Sequence, residues 1–154
     1  MASNLSLSEF SDRVAELMPV ISREFLKQQT TEFLKTKITM PQFIVLEILS
    51  HHGESKMTDL ANLLDVTTAA MTGIVDRLVR DGYAARGHDE DDRRIVKIKL
   101  TQKGEKIVKS MVENRKRIMI KMFSGISQEE REQYLSILTR VRDQLVSNIG
   151  EAKG

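Results

Sequence analysis

Two adjacent arginines, Arg93 and Arg94, directly follow a run of four acidic residues at positions 89–92. A guanidinium group binds phosphate through paired hydrogen bonds, and it fits the narrow minor groove of A·T-rich DNA, where the potential is most negative. The neighbouring carboxylates would repel phosphate. We therefore predict that Asp89 or Asp92 pairs with one arginine to hold the shape of the loop, while the other arginine faces DNA. The alternative is that both arginines only neutralise the acidic loop.

The acidic loop lies between two short segments, residues 83–86 and 95–100, whose composition and alternation predict strands. Gly82 is expected to end the preceding helix, and a shorter helix near residues 57–64 comes before that one. The order helix, turn, helix, hairpin is that of a winged helix-turn-helix, which reads duplex DNA. This segment is the most specific indication of function in the chain.

The second helix of this segment has an apolar face, which we expect to be buried, and an opposite face of small or threonine side chains. Small side chains let a helix enter a major groove about 12 Å wide, and threonine can bond base edges or phosphates and touch thymine methyls. On its own the helix would fit an ordinary exposed helix equally well, but the paired arginines of the hairpin favour DNA. The predicted DNA-binding residues are Thr67, Thr68, Ala69, Ala70, Thr72, Gly73, Arg77, Arg93 and Arg94.

The charge distribution limits how DNA could be bound. The chain of 154 residues has a net charge of only +2, and residues 56–100 carry eight basic and eight acidic groups. Residues 101–123 carry seven basic and two acidic groups, on a predicted helix whose charges form a solvated face more often than a phosphate contact. Affinity for DNA must therefore come from a few placed side chains.

Several classes of protein are excluded by what the sequence lacks. Cysteine is absent, so there is no disulfide or thiol switch. There is no glycine-rich phosphate loop, no nucleophile motif and no metal-ligand spacing around His51, His52 and His88, so we expect no enzyme, cofactor or metal. We also expect no membrane span and no secretion signal, and hence a cytoplasmic protein.

Long amphipathic helices are predicted on both sides of this segment. Residues 8–36 form one, with a kink or break at Pro19, and two more helices follow residue 101. Their apolar stripes are too large for a small body to cover, so we predict a homodimer; the alternative is that they fold back onto their own chain. The predicted fold is mainly α with a small β-wing, divided into dimerisation helix 1–36, winged helix-turn-helix 37–101 and dimerisation helices 102–154.

A small-molecule pocket is expected where the dimerisation helices meet the winged segment. The alternative is that its apolar residues are ordinary core, which apolar stripes more often are. The candidates, chosen by helix face alone, are Met18, Ile21, Phe25, Phe43 and Met111.

The segment resembles the MarR family of bacterial transcription regulators. The matching pieces follow in order along nearly the whole chain: Ile38-Thr-Met-Pro-Gln42, Leu60-Ala61, Asp76-Arg77-Leu78 with Gly82 and Arg86, the wing sequence Asp89-Glu-Asp-Asp-Arg-Arg94, and Leu100-Thr-Gln-Lys-Gly104. Two departures matter. Many relatives carry a longer polar residue where this chain has Gly73, so one base contact is expected to be absent, and the thiol-oxidation branch of the family does not apply.

The resemblance implies an obligate homodimer with one winged helix-turn-helix per subunit, binding double-stranded DNA at a pseudo-palindromic operator. It also implies that an effector weakens DNA binding, and repression is the commoner mode in the family. The expected partners are therefore an operator, a second copy of the chain and a small-molecule effector. The alternative is a winged-helix module that binds proteins and not specific DNA.

Overall fold

A computed structural model describes the backbone of residues 5–151. Its helices and strands follow in the order α1 (Leu7–Thr36), α2 (Met40–His52), β1 (Ser55–Lys56), α3 (Met57–Leu63), α4 (Thr68–Arg80), β2 (Ala84–His88), β3 (Val96–Leu100), α5 (Gln102–Met122) and α6 (Gln128–Glu151). The predicted fold class, a mainly helical chain with a small β-wing on a helix-turn-helix, is confirmed.

The chain divides into two compact units, residues 1–115 and 116–154. The first contains α1 to α4, the sheet and most of α5, and the second contains the end of α5 and all of α6. The division into 1–36, 37–101 and 102–154 concerns roles in assembly, and it remains a prediction.

Helix α1 starts with a capping box, in which Ser6 accepts a hydrogen bond from the Glu9 backbone and the Glu9 carboxylate accepts one from the Ser6 backbone. The helix continues through Pro19 without interruption, so of the predicted kink or break the break does not occur. Proline removes one backbone donor, which leaves the carbonyl of Ala15 without its helical partner. Because Ala15 is exposed, water can satisfy that carbonyl.

Helix α2 is bounded by local signals in the sequence. Thr39 caps it, Pro41 lies in the first turn, and Gly53, with a φ of 75°, ends it. Its buried side chains include Phe43, Leu46 and Leu49.

The wing belongs to a three-stranded antiparallel sheet in the order β1-β3-β2. The sequence did not predict β1, since a strand of two residues has no alternation to detect. In β2, Arg86 pairs with Ile98 and His88 with Val96, so this strand runs beyond its predicted end at residue 86.

A single core holds the first unit together. Side chains from α2, α3, α4 and β3 are completely inaccessible to solvent, and they include Val45, Leu46, Leu60, Met71, Val75, Leu78 and Ile98. Val108 and Met111 bring α5 into the same cluster. Helix α4 therefore packs against residues of α2, α3, β3 and α5 in one core.

At one edge of this core, α1, α2 and α5 meet around Phe43. The Phe33 ring contacts the Phe43 ring edge-on, with 5.8 Å between centroids, and the Arg115 guanidinium lies 5.9 Å from the Phe43 centroid. Arg115 also donates to both carboxylate oxygens of Glu47, and the longer of these bonds measures 3.3 Å. The Glu47 side chain of this bidentate pair is largely shielded from solvent. The pair fixes the part of α5 that belongs to the first unit to α2.

Gly104, in the first turn of α5, lies directly against the backbone of Tyr83. A Cβ built at this glycine would overlap the Tyr83 carbonyl oxygen and lie 3.0 Å from a Leu100 methyl. We expect Gly104→Ala to destabilise the fold by about 1–3 kcal/mol, because a backbone carbonyl cannot move aside as a side chain can. Unfolding in urea would show a lower midpoint.

Gly73→Ala is the matched control, since a Cβ there meets nothing within 4 Å. Alanine in a helix interior is favoured over glycine by up to about 1 kcal/mol, so this variant should be slightly more stable than the parent. Equal urea midpoints for the parent and Gly104→Ala would contradict the close approach.

Candidate nucleic-acid interface

Helix α4 has one buried and one exposed face. Met71, Val75 and Leu78 are fully buried, which fixes the rotation of the helix about its axis. Thr67 caps the helix, and its hydroxyl oxygen accepts a hydrogen bond of 3.1 Å from the Ala70 N–H. The threonine cap thus starts the helix where the exposed face begins.

The residues predicted to contact DNA lie on this exposed side. All those on α4 and its cap are exposed except Thr72, which is half-buried and donates a hydrogen bond of 2.8 Å to the Thr68 carbonyl. Ala69 and Gly73, four residues apart, lie near the middle of the face opposite the buried residues. The space above Gly73 is open, so the first two turns present a smooth surface with no long side chain.

The wing turn is organised by Asp89. Its carboxylate accepts hydrogen bonds from the backbone N–H groups of Asp91 at 2.9 Å and Asp92 at 3.3 Å. The ammonium group of Lys97 on β3 lies 2.6 Å from the other carboxylate oxygen. The main chain closes the turn through the Ile95 N–H, which donates to the Asp92 carbonyl. Lys97, which the sequence did not single out, is therefore the cation that holds Asp89.

These contacts change the ionisation of both partners. Hydrogen bonding to Lys97, followed by the bond from the Asp91 backbone, lowers the pKa of Asp89 from 3.8 to about 2. The same pairing raises the pKa of Lys97. The turn is thus held by a carboxylate that stays ionised well into the acid range.

The two wing arginines have different environments. Arg94 donates through its backbone N–H and its Nε to the Asp92 carboxylate, at 3.0 and 3.1 Å, yet its side chain is 92% exposed. The bond to Arg94 also lowers the pKa of Asp92. Arg93 is exposed and forms no ion pair with any residue that the structure describes. One arginine is therefore held against the loop and the other extends into solvent.

An ion pair ties the recognition helix to the wing. The Arg86 guanidinium on β2 donates to the Asp76 carboxylate on α4. Sequence reasoning gave neither residue this role, because the pair joins positions ten apart across two elements and no helix or strand spacing predicts it. Arg77, the next residue on α4, is exposed.

The base of the wing is fixed to the start of α5. The Thr101 hydroxyl donates to the Gly82 carbonyl at 2.6 Å and accepts from the Gly104 N–H at 3.1 Å. Lys103 donates to the Asp81 carbonyl at 2.7 Å and lies 4.5 Å from the centre of the Tyr83 ring. At least this lysine of the basic helix therefore has a structural role at the end of α4.

The five candidates for a ligand pocket differ in burial. Phe43 and Met111 are buried in the core, Phe25 is half-buried, and Met18 and Ile21 are about half exposed on α1. An apolar cavity of about 530 Å³ does occur in the second unit, between the end of α5 and α6, but none of the five candidates lines it. The predicted pocket remains a prediction.

Neither a metal centre nor a membrane-spanning helix is found within the described residues. Across that part of the chain, no three His, Cys, Asp or Glu side chains converge in a group able to hold a metal ion. Among helices α1 to α6, as far as they are described, none has the length and apolar composition needed to cross a bilayer.

Comparison with known proteins identifies the family. The MarR family model matches residues 38–96, which span α2 to the start of β3. The repressor MdtR of Bacillus subtilis is 32% identical over 107 residues, which cover 70% of this chain and 69% of MdtR. The chain belongs to the MarR family.

Solved structures agree with this assignment. A MarR family protein from Bacillus stearothermophilus superposes with a TM-score of 0.82 at 26% identity, covering 92% of this chain and 99% of that one. A mutant of MepR from S. aureus, bound to an oligodeoxyribonucleotide, gives a TM-score of 0.66 at 26% identity, covering 85% of this chain and 96% of that one. The chain is therefore a MarR-family transcription regulator with a DNA-binding winged helix, and not an enzyme.

The ionisation of Asp89 tests the structure of the wing. Because its folded pKa of about 2 lies below the ordinary 3.8, its contribution to stability is present above about pH 4 and is lost as the pH falls through about 2. Carbon-detected NMR of the side-chain carboxyl should show this low midpoint in the folded protein. Lys97→Met should move the midpoint up toward the ordinary value.

Lys99→Met is the control. Lys99 is the neighbouring lysine of β3, and its ammonium group faces Glu54 at 4.0 Å. Its loss should leave the Asp89 midpoint unchanged. An ordinary midpoint in the parent protein would show that the Asp89–Lys97 pair does not form in solution.

Proposed function

We propose that this regulator acts in the cytoplasm as a homodimer that binds a pseudo-palindromic operator in double-stranded DNA and represses transcription until an effector releases it. One observation carries the proposal: α4 exposes a smooth, small-residue face, and the adjacent wing extends Arg93 without an ion-pair partner among the described residues. In this arrangement α4 enters the major groove and the wing arginines reach the neighbouring minor groove.

The electrostatics of the winged segment favour placed contacts over a general attraction. Half of the eight acidic groups in residues 56–100 have an ion-pair partner, namely Lys97 on Asp89, Arg94 on Asp92, Arg86 on Asp76 and Arg80 on Asp81. Arg77 and Arg93 are then exposed cations on the two DNA-facing elements, and neither forms an ion pair within residues 5–151. The DNA-bound structure of the MepR mutant supports the same use of this fold.

The wing arginines give the test of DNA binding. With duplex from the promoter of the protein's own gene, Arg93→Ala should weaken binding by about 1–3 kcal/mol. The slope of log affinity against log salt should also fall by about 1 for each phosphate that the variant no longer binds. A salt-titrated mobility-shift assay measures both quantities.

Arg142→Ala is the matched control for Arg94→Ala. Both arginines are exposed and each pairs with a nearby aspartate, Asp143 or Asp92, but Arg142 lies on α6. The control should bind duplex like the parent, while Arg94→Ala binds more weakly. If the parent protein never retards duplex DNA at low salt, the regulator proposal fails in favour of the protein-binding module.

The homodimer is supported by the apolar surface of the long helices. Both α1 and α6 expose rows of large apolar side chains, more than a monomer in water usually leaves uncovered. On α1 they are Leu7, Phe10, Leu17, Met18, Val20, Ile21, Leu26 and Leu34. On α6 they are Tyr134, Leu135, Ile137, Leu138, Val141, Leu145 and Val146. A second copy supplies matching apolar faces of the same kind.

A charge in either row should break the dimer. The parent chain of 17.6 kDa should elute with a light-scattering mass of about 35 kDa, twice that of one chain. Leu17→Asp on α1 and Leu138→Asp on α6 should each shift the mass toward the monomer and weaken operator binding, because only a dimer engages two half-sites.

Ser136→Asp, at an exposed polar position of α6, serves as control and should remain dimeric. Circular dichroism shows whether the variants keep their helices, which separates dissociation from unfolding. A parent protein that is monomeric at micromolar concentration would overturn this part of the proposal.

Repression and its relief complete the proposal. The relative MdtR is a repressor, which supports the same direction of control here. Relief by a small molecule requires that the effector bind the arrangement unable to hold DNA more tightly than the competent one. Each chain carries one winged helix-turn-helix. An effector therefore acts by changing the distance between the two winged helix-turn-helix segments of a dimer.

A further inference from the structure

The first two turns of α4 lack the side chains that read most bases, and the exposed Arg77 follows one turn later. Guanine is usually read by arginine or lysine, and adenine by asparagine or glutamine, through paired hydrogen bonds. Residues 68–73 contain none of these four types. Beyond them, one carboxylate oxygen of Asp76 accepts a hydrogen bond from Arg86, which competes with cytosine for this acceptor.

The threonine hydroxyls in these turns are already partly used. The Thr72 hydroxyl donates its one proton to the Thr68 carbonyl, and the Thr67 hydroxyl oxygen accepts a hydrogen bond from the Ala70 N–H. The Thr68 hydroxyl has no such bond within the described chain. What the surface offers in quantity is methyl groups, namely those of Thr68, Ala69 and Ala70.

The length and clearance of this methyl surface suit a short stretch of bases. Residues 68–73 rise about 7.5 Å along the helix axis, which corresponds to roughly two base-pair steps. Because nothing stands within 4 Å of the position above Gly73, no side chain there holds the helix away from the groove floor. The helix can therefore approach closely enough for carbon-to-carbon contact with base edges.

Resting on the proposed function, we propose that α4 selects A·T-rich half-sites by contacting thymine 5-methyl groups with the methyls of Thr68 and Ala69. Thymine is the one base that presents a methyl group in the major groove, and apolar contact is the way that alanine and threonine recognise it. Gly73 provides the clearance for that contact.

The wing independently favours A·T-rich DNA as well. Arg93 is exposed and forms no ion pair with the described residues, and a free guanidinium is attracted most strongly to the narrow minor groove of A·T-rich DNA. Helix and wing therefore favour the same composition in adjacent grooves of one half-site.

The first experiment determines the preferred sequence and removes its methyl groups. The full-length protein selects duplexes from a library with about 30 random base pairs (roughly three helical turns), and the most enriched duplex is resynthesised with single thymines replaced by uracil. The half-sites should be A·T-rich. Uracil should lower affinity about fourfold at one or more major-groove thymines, as expected for the loss of one buried carbon group.

Two substitutions at one residue separate the methyl from the hydroxyl. Thr68→Ser removes the methyl and keeps the hydroxyl, while Thr68→Val keeps the methyl and loses the hydroxyl. The quantity compared is the ratio of the affinities for the thymine duplex and the uracil duplex at the contacted position. This ratio should fall toward one in Thr68→Ser and should stay near its parental value in Thr68→Val. Circular dichroism confirms that each variant is folded.

A gain of specificity tests the role of Gly73. Gly73→Arg places a guanine reader in the open space, so repeated selection should enrich guanine at a position that is A·T in the parent. Ser136→Arg, at an exposed site on α6, adds the same charge and should leave the selected sequence unchanged.

The outcomes distinguish this inference from the proposed function. Selection could enrich a defined operator whose half-sites are rich in G·C, or one whose affinity does not change with any uracil replacement. Either result overturns thymine recognition but leaves the proposed function as a DNA-binding regulator standing. Failure to enrich any duplex overturns both.

Discussion

Burial of Met71, Val75 and Leu78 determines which side of α4 can reach DNA. Complete burial of such side chains stabilises the fold by about 1.5–3 kcal/mol each, so the three together contribute several kcal/mol. Rotation of α4 by one residue, about 100°, would bring these side chains into water and is therefore excluded. The small-residue face is presented because the opposite face must be covered, and the surface proposed to read DNA is to that extent a product of the core.

The wing depends on the same constraint, because its sheet supplies part of the surface that covers α4. Ile98 of β3 is as deeply buried as the helix residues, and the Asp76–Arg86 pair adds a polar link between α4 and β2. The exposed pair is worth little energy by itself. Its value is geometric, since it joins α4 to β2 directly.

Periodicity predicted the helices well, since the apolar spacing of α4 is a local feature. The structure differs from the sequence prediction in two places. At Pro19 no break occurs, because a long helix tolerates one missing hydrogen bond at an exposed turn, and β1 is too short to carry a pattern. The exposure of the candidate site was predictable for the same reason. The partners of Asp89 and Asp76 were not, because Lys97 and Arg86 meet them only through the folded hairpin.

The open space above Gly73 has a consequence for how this regulator can diverge. A side chain at that position meets no neighbour, and replacing glycine within a helix tends to increase stability. Substitutions there therefore face almost no selection for folding, while in the proposed mode of DNA binding each new side chain alters the bases that α4 can read. After gene duplication, a single codon change at this site could separate the target genes of two paralogues without compensating changes elsewhere.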